Sequence, residues 1–271
     1  MKLIPVSLLV LLLGVLAGAL QADAQQTVAV IGTGDMGDTL GPKFAGLGYR
    51  VVYGSRDPES DKVRSLVEQT GHGASAASQQ DAARQADIVL TLVPWPAMRT
   101  VAQNLGNLDG KIVIDVSMPF EQGPDGYPQK MVETSSAEII QEFNPGARVV
   151  KTWATLGSQV IDDTGSVDGP VSVPLASNDR EAKEFVAGIV AAMGLDPVDF
   201  GPLRMAREIE TLQMIYMIPL VQVRDESWEF YFRRSNYWPC QEPEGWYDPV
   251  YDKGSLASLP RTQGEPEPCP Q

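Results

Sequence analysis

The sequence is poor in the two side chains that most often hold transition metals. Its 271 residues include one histidine, His72, and two cysteines, Cys240 and Cys269. One histidine cannot build a three-histidine zinc site, and two cysteines cannot hold a four-cysteine zinc or iron–sulfur centre. We therefore expect no such metal site. If the protein is an enzyme, a bound organic cofactor should supply its chemistry.

Positive charge is also scarce. Lysine and arginine together number 21 against 35 acidic residues, which gives a formal net charge of −14. A nucleic-acid-binding protein needs basic surface to neutralise phosphates, so this class of function is excluded. The composition is otherwise that of a globular protein, and the length allows one large domain with a smaller extension.

The chain begins with an apolar segment. Residues 3–20 carry no charge, follow Lys2 and precede the small-residue triplet Ala22-Asp23-Ala24. This pattern predicts a signal peptide, residues 1–24, cleaved after Ala24, and hence a periplasmic or secreted protein that begins at Gln25. The alternative is an uncleaved N-terminal membrane anchor, because a segment of this length can just span a bilayer.

From Thr27 onwards, short apolar runs alternate with helical patterns, which is typical of a parallel sheet with helices on both faces. The predicted fold class is α/β, with a Rossmann-type doubly wound parallel sheet in residues 25–150 and a small C-terminal α+β extension in residues 151–224. The extension ends in a long helix, Leu203–Val223, that should bend at Pro219. Residues 225–271 form an aromatic, proline-rich, acidic tail. The predicted strands are Thr27–Gly32, Arg50–Gly54, Asp87–Val93, Lys111–Val116, Arg148–Trp153, Val171–Ala176 and Pro197–Phe200. The other predicted helices are Met36–Gly48, Pro58–Gln69, Ser78–Ala86, Pro96–Leu105, Ser135–Phe143 and Asp179–Met193.

A glycine motif follows the first predicted strand. The residues Gly32-Thr33-Gly34-Asp35-Met36-Gly37 have the pattern GxGxxG and open a helix, which is the context in which this motif binds a dinucleotide. The first glycine allows a tight turn, the second lets the backbone approach a pyrophosphate, and the third lets the helix pack on the strand. The alternative is a strand-to-helix turn that binds nothing.

The end of the second strand indicates which dinucleotide binds. An NAD site has an acid there, whereas this sequence has Ser55 and Arg56. A hydroxyl and a guanidinium suit the 2′-phosphate of NADP, and Lys62 on the next helix could add positive charge. The alternative is that Arg56 is an ordinary surface residue at a strand end.

Five segments together resemble one enzyme family. They are VIGTGDMG at residues 30–37, YGSRDP at 53–58, LVPW at 92–95, DVSMP at 115–119 and GPLRMAREIE at 201–210. Over residues 27–216 the chain resembles the F420-dependent NADP oxidoreductases, which are themselves similar to the N-terminal part of pyrroline-5-carboxylate reductases and the NADPH domain of STEAP metalloreductases. The resemblance implies that the chain binds NADP(H) and passes a hydride between nicotinamide and a deazaflavin, coenzyme F420, or a flavin.

The resemblance also assigns residues to the site. Those it places at the cofactor are Thr33, Gly34, Asp35, Met36, Ser55, Arg56, Val93, Pro94, Trp95, Ser117, Met118 and Pro119. Those it places beside the hydride acceptor are Trp153, Ala154 and Thr155. The family usually has histidine or asparagine where this chain has Ala154, which leaves the acceptor open. No catalytic side chain is expected, because proximity and orientation supply most of a hydride transfer.

Export and soluble NADPH chemistry fit poorly together, so two alternatives remain open. One is a non-catalytic nucleotide- or ligand-binding protein that retains the Rossmann fold. The other is an interaction module with the tail as its contact surface. In an oxidising compartment Cys240 and Cys269 should form a disulfide, with two unpaired thiols as the alternative. The methionine-rich C-terminal helix offers a surface for core packing or for a homodimer.

Overall fold

A computed structural model describes residues 25–225 and 227–233. The predicted signal peptide, the predicted Cys240–Cys269 disulfide and most of the predicted tail lie outside the described residues. Within the described part, no helix is both long and apolar enough to cross a membrane.

The described residues form ten strands and nine α-helices. The strands are β1 Thr27–Ile31, β2 Arg50–Ser55, β3 Ser75–Ser78, β4 Ile88–Thr91, β5 Ile112–Asp115, β6 Phe120–Gln122, β7 Pro128–Lys130, β8 Arg148–Lys151, β9 Ser172–Leu175 and β10 Asp196–Asp199. The helices are α1 Asp35–Gly46, α2 Asp61–Thr70, α3 Gln79–Gln85, α4 Trp95–Asn104, α5 Ser136–Phe143, α6 Ser158–Asp162, α7 Arg180–Ala192, α8 Ala206–Tyr216 and α9 Ile218–Val223.

Six parallel strands build the central sheet in the order β3-β2-β1-β4-β5-β8. The chain moves outward from β1 in one direction and then returns to continue in the other, which is the doubly wound arrangement. The predicted Rossmann-type fold is therefore confirmed. Strand β1 is apolar on both sides, which suits a strand at the centre of a sheet covered on both faces. All five of its residues are buried there.

The two faces of the sheet carry separate hydrophobic cores. On β1, Val28 and Val30 pack on the side that contains Leu40 and Phe44 of α1. The alternate β1 residues pack on the other side with α3, α4 and α5. This division follows from the two-residue period of a strand, and it places α1 directly after β1 with its first turn at the carboxyl edge of the sheet.

The C-terminal extension is a small βαβ unit followed by helices. Strands β9 and β10 pair in parallel, with α7 between them in sequence, and a bridge from Lys151 to Ala176 joins this pair to β8. Helices α8 and α9 follow. The extension therefore continues from the last strand of the central sheet rather than forming a detached unit.

The predicted long helix over 203–223 is wrong in its continuity. The structure has a 3₁₀ turn at Leu203–Met205, then α8, then α9, with the break at Met217. Pro219 lies in the first turn of α9. A proline lacks an N–H and its ring clashes with the carbonyl four residues earlier, so the helix ends there and a new one begins. The predicted bend is thus a full interruption two residues before the proline.

Four of the described strands and helices, β3, β6, β7 and α6, are not predicted from the sequence. Strand β3 reads Ser-Ala-Ala-Ser and has no β-branched residue, and its ladder to β2 is what makes it a strand. The β6–β7 hairpin has only three residues a side, and α6 has only five. Elements this short carry too few residues to display a period.

Candidate functional site

The loops singled out in the sequence all lie at one edge of the central sheet. Because its strands are parallel, the loops after β1, β2, β4, β5 and β8 leave from the same edge. The register makes this explicit, since Ile31 pairs with both Gly54 and Thr91, Thr91 with Asp115, and Asp115 with Lys151. The glycine loop, Ser55–Arg56, residues 92–95, 117–119 and 153–155 therefore border one region.

The glycine loop is built for close packing at two positions and for open space at the third. Gly32 has φ +129°, and a Cβ there would lie 2.6 Å from the Leu92 carbonyl oxygen. A Cβ on Gly37 would overlap the Gly32 carbonyl oxygen. By contrast, a Cβ on Gly34 would meet no described atom within 4 Å. The structure thus leaves room beside Gly34, where the motif brings the cofactor pyrophosphate.

The start of α1 has the features of an anion site. Its N-cap is Gly34, and no described side chain caps it by a hydrogen bond. The first N–H groups of a helix have no partner within the helix, and the helix dipole adds partial positive charge there. These groups fit a pyrophosphate without rearrangement. Thr33 and Met36 are half-buried beside this turn, while Asp35 is exposed.

Ser55 and Arg56 lie where β2 ends. Arg56 is exposed, and its guanidinium makes no hydrogen bond to any described residue. The Ser55 hydroxyl oxygen accepts from the Asp57 backbone N–H at 3.1 Å, which leaves its own proton available for donation. A free guanidinium and a free hydroxyl proton at this position fit the 2′-phosphate of NADP. Lys62, in the first turn of α2, is also exposed.

The loop after β4 contributes mostly packing. Val93 is buried, Trp95 is half-buried against the core on the α4 side, and Pro94 is exposed as the N-cap of α4. The side chain of Trp95 therefore has one covered and one accessible part at the edge of the site.

A buried polar cluster, which the sequence did not predict, lies beneath the loop after β5. We call it the Lys151 cluster, and its members are Thr91, Asp115, Ser117, Ser136, Lys151 and Glu210. The Lys151 side chain is fully buried, and its Nζ lies 2.9 Å from Asp115 Oδ2 and 3.1 Å from Glu210 Oε1. Ser136 Oγ, at 2.9 Å, and the Ser117 carbonyl oxygen also lie within hydrogen-bond distance of Lys151 Nζ, so four acceptors share its three N–H groups.

The Lys151 cluster engages every polar atom of Ser117. The Ser117 backbone N–H donates to Asp115 Oδ1 at 3.0 Å, and the Ser117 hydroxyl donates to the same oxygen. The Ser117 carbonyl accepts from Lys151 and lies 2.9 Å from Ser136 Oγ. The Ser117 hydroxyl is therefore committed to the protein, and its role in the predicted cofactor loop is to set the loop's conformation.

Burial and neighbouring charges within the Lys151 cluster shift the pKa values of Lys151 and Glu210. Burial alone would lower the pKa of Lys151, but the negative charges of Asp115 and Glu210 raise it above its usual value. Burial raises the pKa of Glu210, and this outweighs the attraction of Lys151. Glu210 Oε2 and Gln213 Oε1 are buried and accept no hydrogen bond within the described structure.

The three residues predicted beside the acceptor are buried, and they face different ways. Trp153 has φ +51°, a strained backbone for a bulky residue, and its ring packs edge-on against Phe44 at 6.0 Å. Trp153 therefore belongs to the core under α1. Ala154 instead packs with Ile209 of α8 and with the partly buried Met118. The wall behind residues 117–119 is apolar as a result.

Comparisons with known proteins indicate the family of the chain. Residues 27–119 match the family model described as NADP oxidoreductase, coenzyme F420-dependent. The F420-dependent NADP reductase of Methanothermobacter thermautotrophicus is 31% identical over 200 residues, covering 68% of this chain and 85% of that protein. The metalloreductase STEAP3 of Rattus norvegicus is 29% identical over 187 residues. That match covers 69% of this chain, which spans about a third, 36%, of STEAP3's length.

Solved structures with this fold include a protein described as a member of the same family. A putative F420-dependent NADP reductase from Arthrobacter sp. FB24 is 29% identical, with a TM-score of 0.71, and the match covers 77% of this chain and all of that one. A pyrroline-5-carboxylate reductase from Coxiella burnetii, at 17% identity and a TM-score of 0.51, shares the fold. Together with the site at the carboxyl edge of the sheet, these matches show that the chain belongs to the family of F420-dependent NADP oxidoreductases.

Proposed function

We propose that the mature protein is an exported oxidoreductase that transfers a hydride between NADPH and a flavin or deazaflavin acceptor. Family membership makes the protein an NADP-dependent oxidoreductase with NADP(H) as its cofactor. The type of acceptor and the export are what the proposal adds. The observation that carries the NADP(H) part is the free Arg56 guanidinium on the same sheet edge as the open space at Gly34. The acceptor rests on the apolar residues around Ala154, and export rests on the uncharged segment 3–20.

Each part of the site has a distinct task in this proposal. When bound, NADPH supplies the hydride. The N–H groups at the start of α1 bind its pyrophosphate, and Arg56 binds its 2′-phosphate with paired, charge-assisted hydrogen bonds. The 117–119 loop borders the nicotinamide and fixes the angle at which its ring meets the acceptor. The rate then depends mainly on proximity and orientation.

The apolar wall favours a flat aromatic acceptor. Ala154 and Ile209 are buried there, with Met118, Phe200 and Met205 partly buried against them. Methionine and phenylalanine side chains pack well against ring systems, and an apolar wall excludes water from the transferred hydride. A flavin or deazaflavin ring suits such a surface. These five side chains carry no charge.

Ala154 supports a second candidate function. A polar side chain is usual at this position in the resembling family, and its absence is what a nucleotide-binding protein that has lost turnover would show. Such a protein would bind NADPH through Gly34 and Arg56 but transfer nothing. Binding and turnover must therefore be measured separately.

The deciding experiment uses residues 25–271, produced in an oxidising compartment. NADPH binding is followed by the change in nicotinamide fluorescence, and NADPH oxidation is then assayed with riboflavin, FMN, coenzyme F420, ferric chelates and cyclic imines. We expect binding, and oxidation with a flavin or F420. Binding without oxidation by any acceptor would favour the second candidate, and oxidation by ferric chelates or imines alone would contradict the proposed acceptor.

Export rests on the uncharged segment 3–20 and the small residues before Gln25. N-terminal sequencing of the protein recovered from its host tests this part alone. A mature chain that begins at Gln25 supports export with cleavage. A chain that retains Met1 in the membrane fraction would indicate an anchor instead.

A further inference from the structure

The Lys151 cluster joins two elements that the family's cofactor motif does not include. Ser136 is the first residue of α5, and Glu210 lies in α8 of the C-terminal extension. Glu210 Oε1 accepts from the Ser136 backbone N–H at 2.9 Å, from Ser136 Oγ at 2.7 Å and from Lys151 Nζ at 3.1 Å. Through these contacts α8 reaches the carboxyl edge of the central sheet.

The contacts continue from Glu210 to the loop that borders the nicotinamide. Lys151 Nζ, which Glu210 holds, donates to the Ser117 carbonyl oxygen. Ser136 Oγ lies 2.9 Å from the same oxygen and 2.7 Å from Glu210 Oε1, and its single proton is shared between these acceptors. Asp115, which holds the Ser117 N–H and hydroxyl from the other side, lies 2.9 Å from the same Lys151 Nζ. The Ser117 peptide is therefore fixed from both sides by groups that meet at Lys151.

This arrangement is costly if its role is only structural. Burying one ammonium with two carboxylates requires desolvation that well-packed apolar side chains of similar volume avoid. Glu210 Oε2 adds a buried acceptor without a described hydrogen-bond partner. Such groups often occur where a site needs one defined geometry.

We propose that Glu210 is a positioning residue for hydride transfer, which through Ser136 and Lys151 holds the Ser117 peptide and so fixes the 117–119 loop beside the nicotinamide. The proposal rests on the proposed function for its kinetic consequence. It also has a consequence for the protein without any acceptor. The Ser117 N–H donates to Asp115 Oδ1, and Asp115 Oδ2 lies 2.9 Å from the same Lys151 Nζ, so loosening the cluster should speed exchange of this amide.

The experiment compares Glu210→Met, Glu210→Gln and a matched control. Methionine keeps the side-chain volume and removes both carboxylate oxygens. Glutamine keeps Oε1 and places an N–H donor where Oε2 meets no partner. The control is Glu138→Gln, because Glu138 of α5 pairs with Arg207 of α8 at 2.7 Å and so links the same two helices without contacting Ser117.

Two readouts separate this proposal from the proposed function. The first is amide hydrogen exchange of residues 116–120 in the cofactor-free protein, which needs no turnover. We expect faster exchange there in Glu210→Met, with little change in Glu210→Gln or Glu138→Gln. The second is steady-state kinetics, where Glu210→Met should lower kcat about 10- to 100-fold with a small change in the Kd of NADPH, as a displaced reactant predicts.

Local exchange that rises only in Glu210→Met supports the positioning role, even if the wild type shows no turnover and the proposed function fails. Unchanged exchange at 116–120 in Glu210→Met overturns it. An equal rise of exchange in Glu138→Gln also overturns it, because the effect would then come from helix packing. Normal kcat in Glu210→Met alongside an active wild type overturns it as well.

Discussion

Gly34 separates the binding role of the glycine loop from its structural role. Its backbone dihedrals, φ −89° and ψ −169°, are open to any residue, and a Cβ there would meet no described atom within 4 Å. Gly34→Ala should lower the free energy of unfolding by no more than about 1 kcal/mol, because Gly34 is the N-cap of α1 and alanine is a poorer N-cap than glycine. The added methyl group would occupy space that the pyrophosphate needs, so the Kd of NADPH should rise by roughly 10-fold or more, equivalent to about 1.4 kcal/mol.

Thermal unfolding and NADPH titration of the purified variants measure both effects. Gly46→Ala is the matched control, since Gly46 also has open space around its Cβ position but lies at the far end of α1. It should leave the Kd of NADPH unchanged and raise the free energy of unfolding by about 0.4–1 kcal/mol, because alanine favours a helix more than glycine does. Normal NADPH affinity in Gly34→Ala would show that the cofactor does not approach this glycine.

Individual residues also show where sequence reasoning stops. The loops of the candidate cofactor site could be placed from the sequence because each follows a recognisable apolar strand, while their contacts with a cofactor stay a prediction. The Lys151 cluster could not, since Asp115, Lys151 and Glu210 are far apart in the chain and meet only through strand register and the docking of α8. The sequence does show an aspartate and a lysine at the ends of two apolar strands. Nothing in the sequence shows that these two side chains meet.

Helix α7 depends on one residue for both its start and its attachment to the sheet. Asp179 is its N-cap, accepting from the Ala182 N–H at 2.9 Å, and it also binds Arg148 of β8 through two hydrogen bonds. Asp179→Ala should lower the free energy of unfolding at neutral pH by about 1–2 kcal/mol, mostly from the lost cap, because the ion pair is about a third exposed. Asp179→Asn should lose less, since the amide oxygen still caps.

The effect of Asp179 should depend on pH in a defined direction. Its hydrogen bonds from Arg148 lower the pKa of the Asp179 carboxyl below its usual 3.8. A group whose pKa is lowered in the folded state stabilises the protein above the unfolded pKa, and this stabilisation is lost as the pH falls through the folded pKa. Denaturant unfolding at pH 7 and pH 3 should show a smaller difference between wild type and Asp179→Ala at pH 3. A larger difference at pH 3 would contradict the assignment.

At the level of elements, prediction succeeded where a repeating pattern was long enough to read. The strands that build the centre of the sheet are continuous apolar runs, and α7 is amphipathic over 13 residues. Strand β3, by contrast, is made by its neighbour, because pairing with β2 and not its Ser/Ala composition defines it. The interruption at Met217 was read as a bend because a sequence pattern alone does not show how a chain redirects around a proline.

At the scale of the whole molecule, the C-terminal helices α8 and α9 expose apolar side chains that favour self-association. Ile215 is 51% exposed, Ile218 40% and Val223 66%, on adjoining helices α8 and α9. We propose that these residues form a homodimer contact, since exposed apolar side chains on adjoining helices favour association. Light scattering after size exclusion should give a dimer for residues 25–271 and a monomer for Ile218→Glu. A monomeric wild type at micromolar concentration would contradict this expectation.

The central claim, that this sheet edge is an NADP(H) site read by Arg56, is tested most directly by equilibrium binding of NADPH and NADH to wild type and Arg56→Ala. A charge-assisted hydrogen bond contributes about 1.5–3 kcal/mol, so the variant should bind NADPH roughly 10- to 150-fold more weakly. NADH has no 2′-phosphate, so its affinity should stay nearly constant, and the wild type should prefer NADPH. Equal weakening of both nucleotides, or a wild type that does not discriminate between them, would contradict the claim and leave Lys62 as the next candidate for the phosphate.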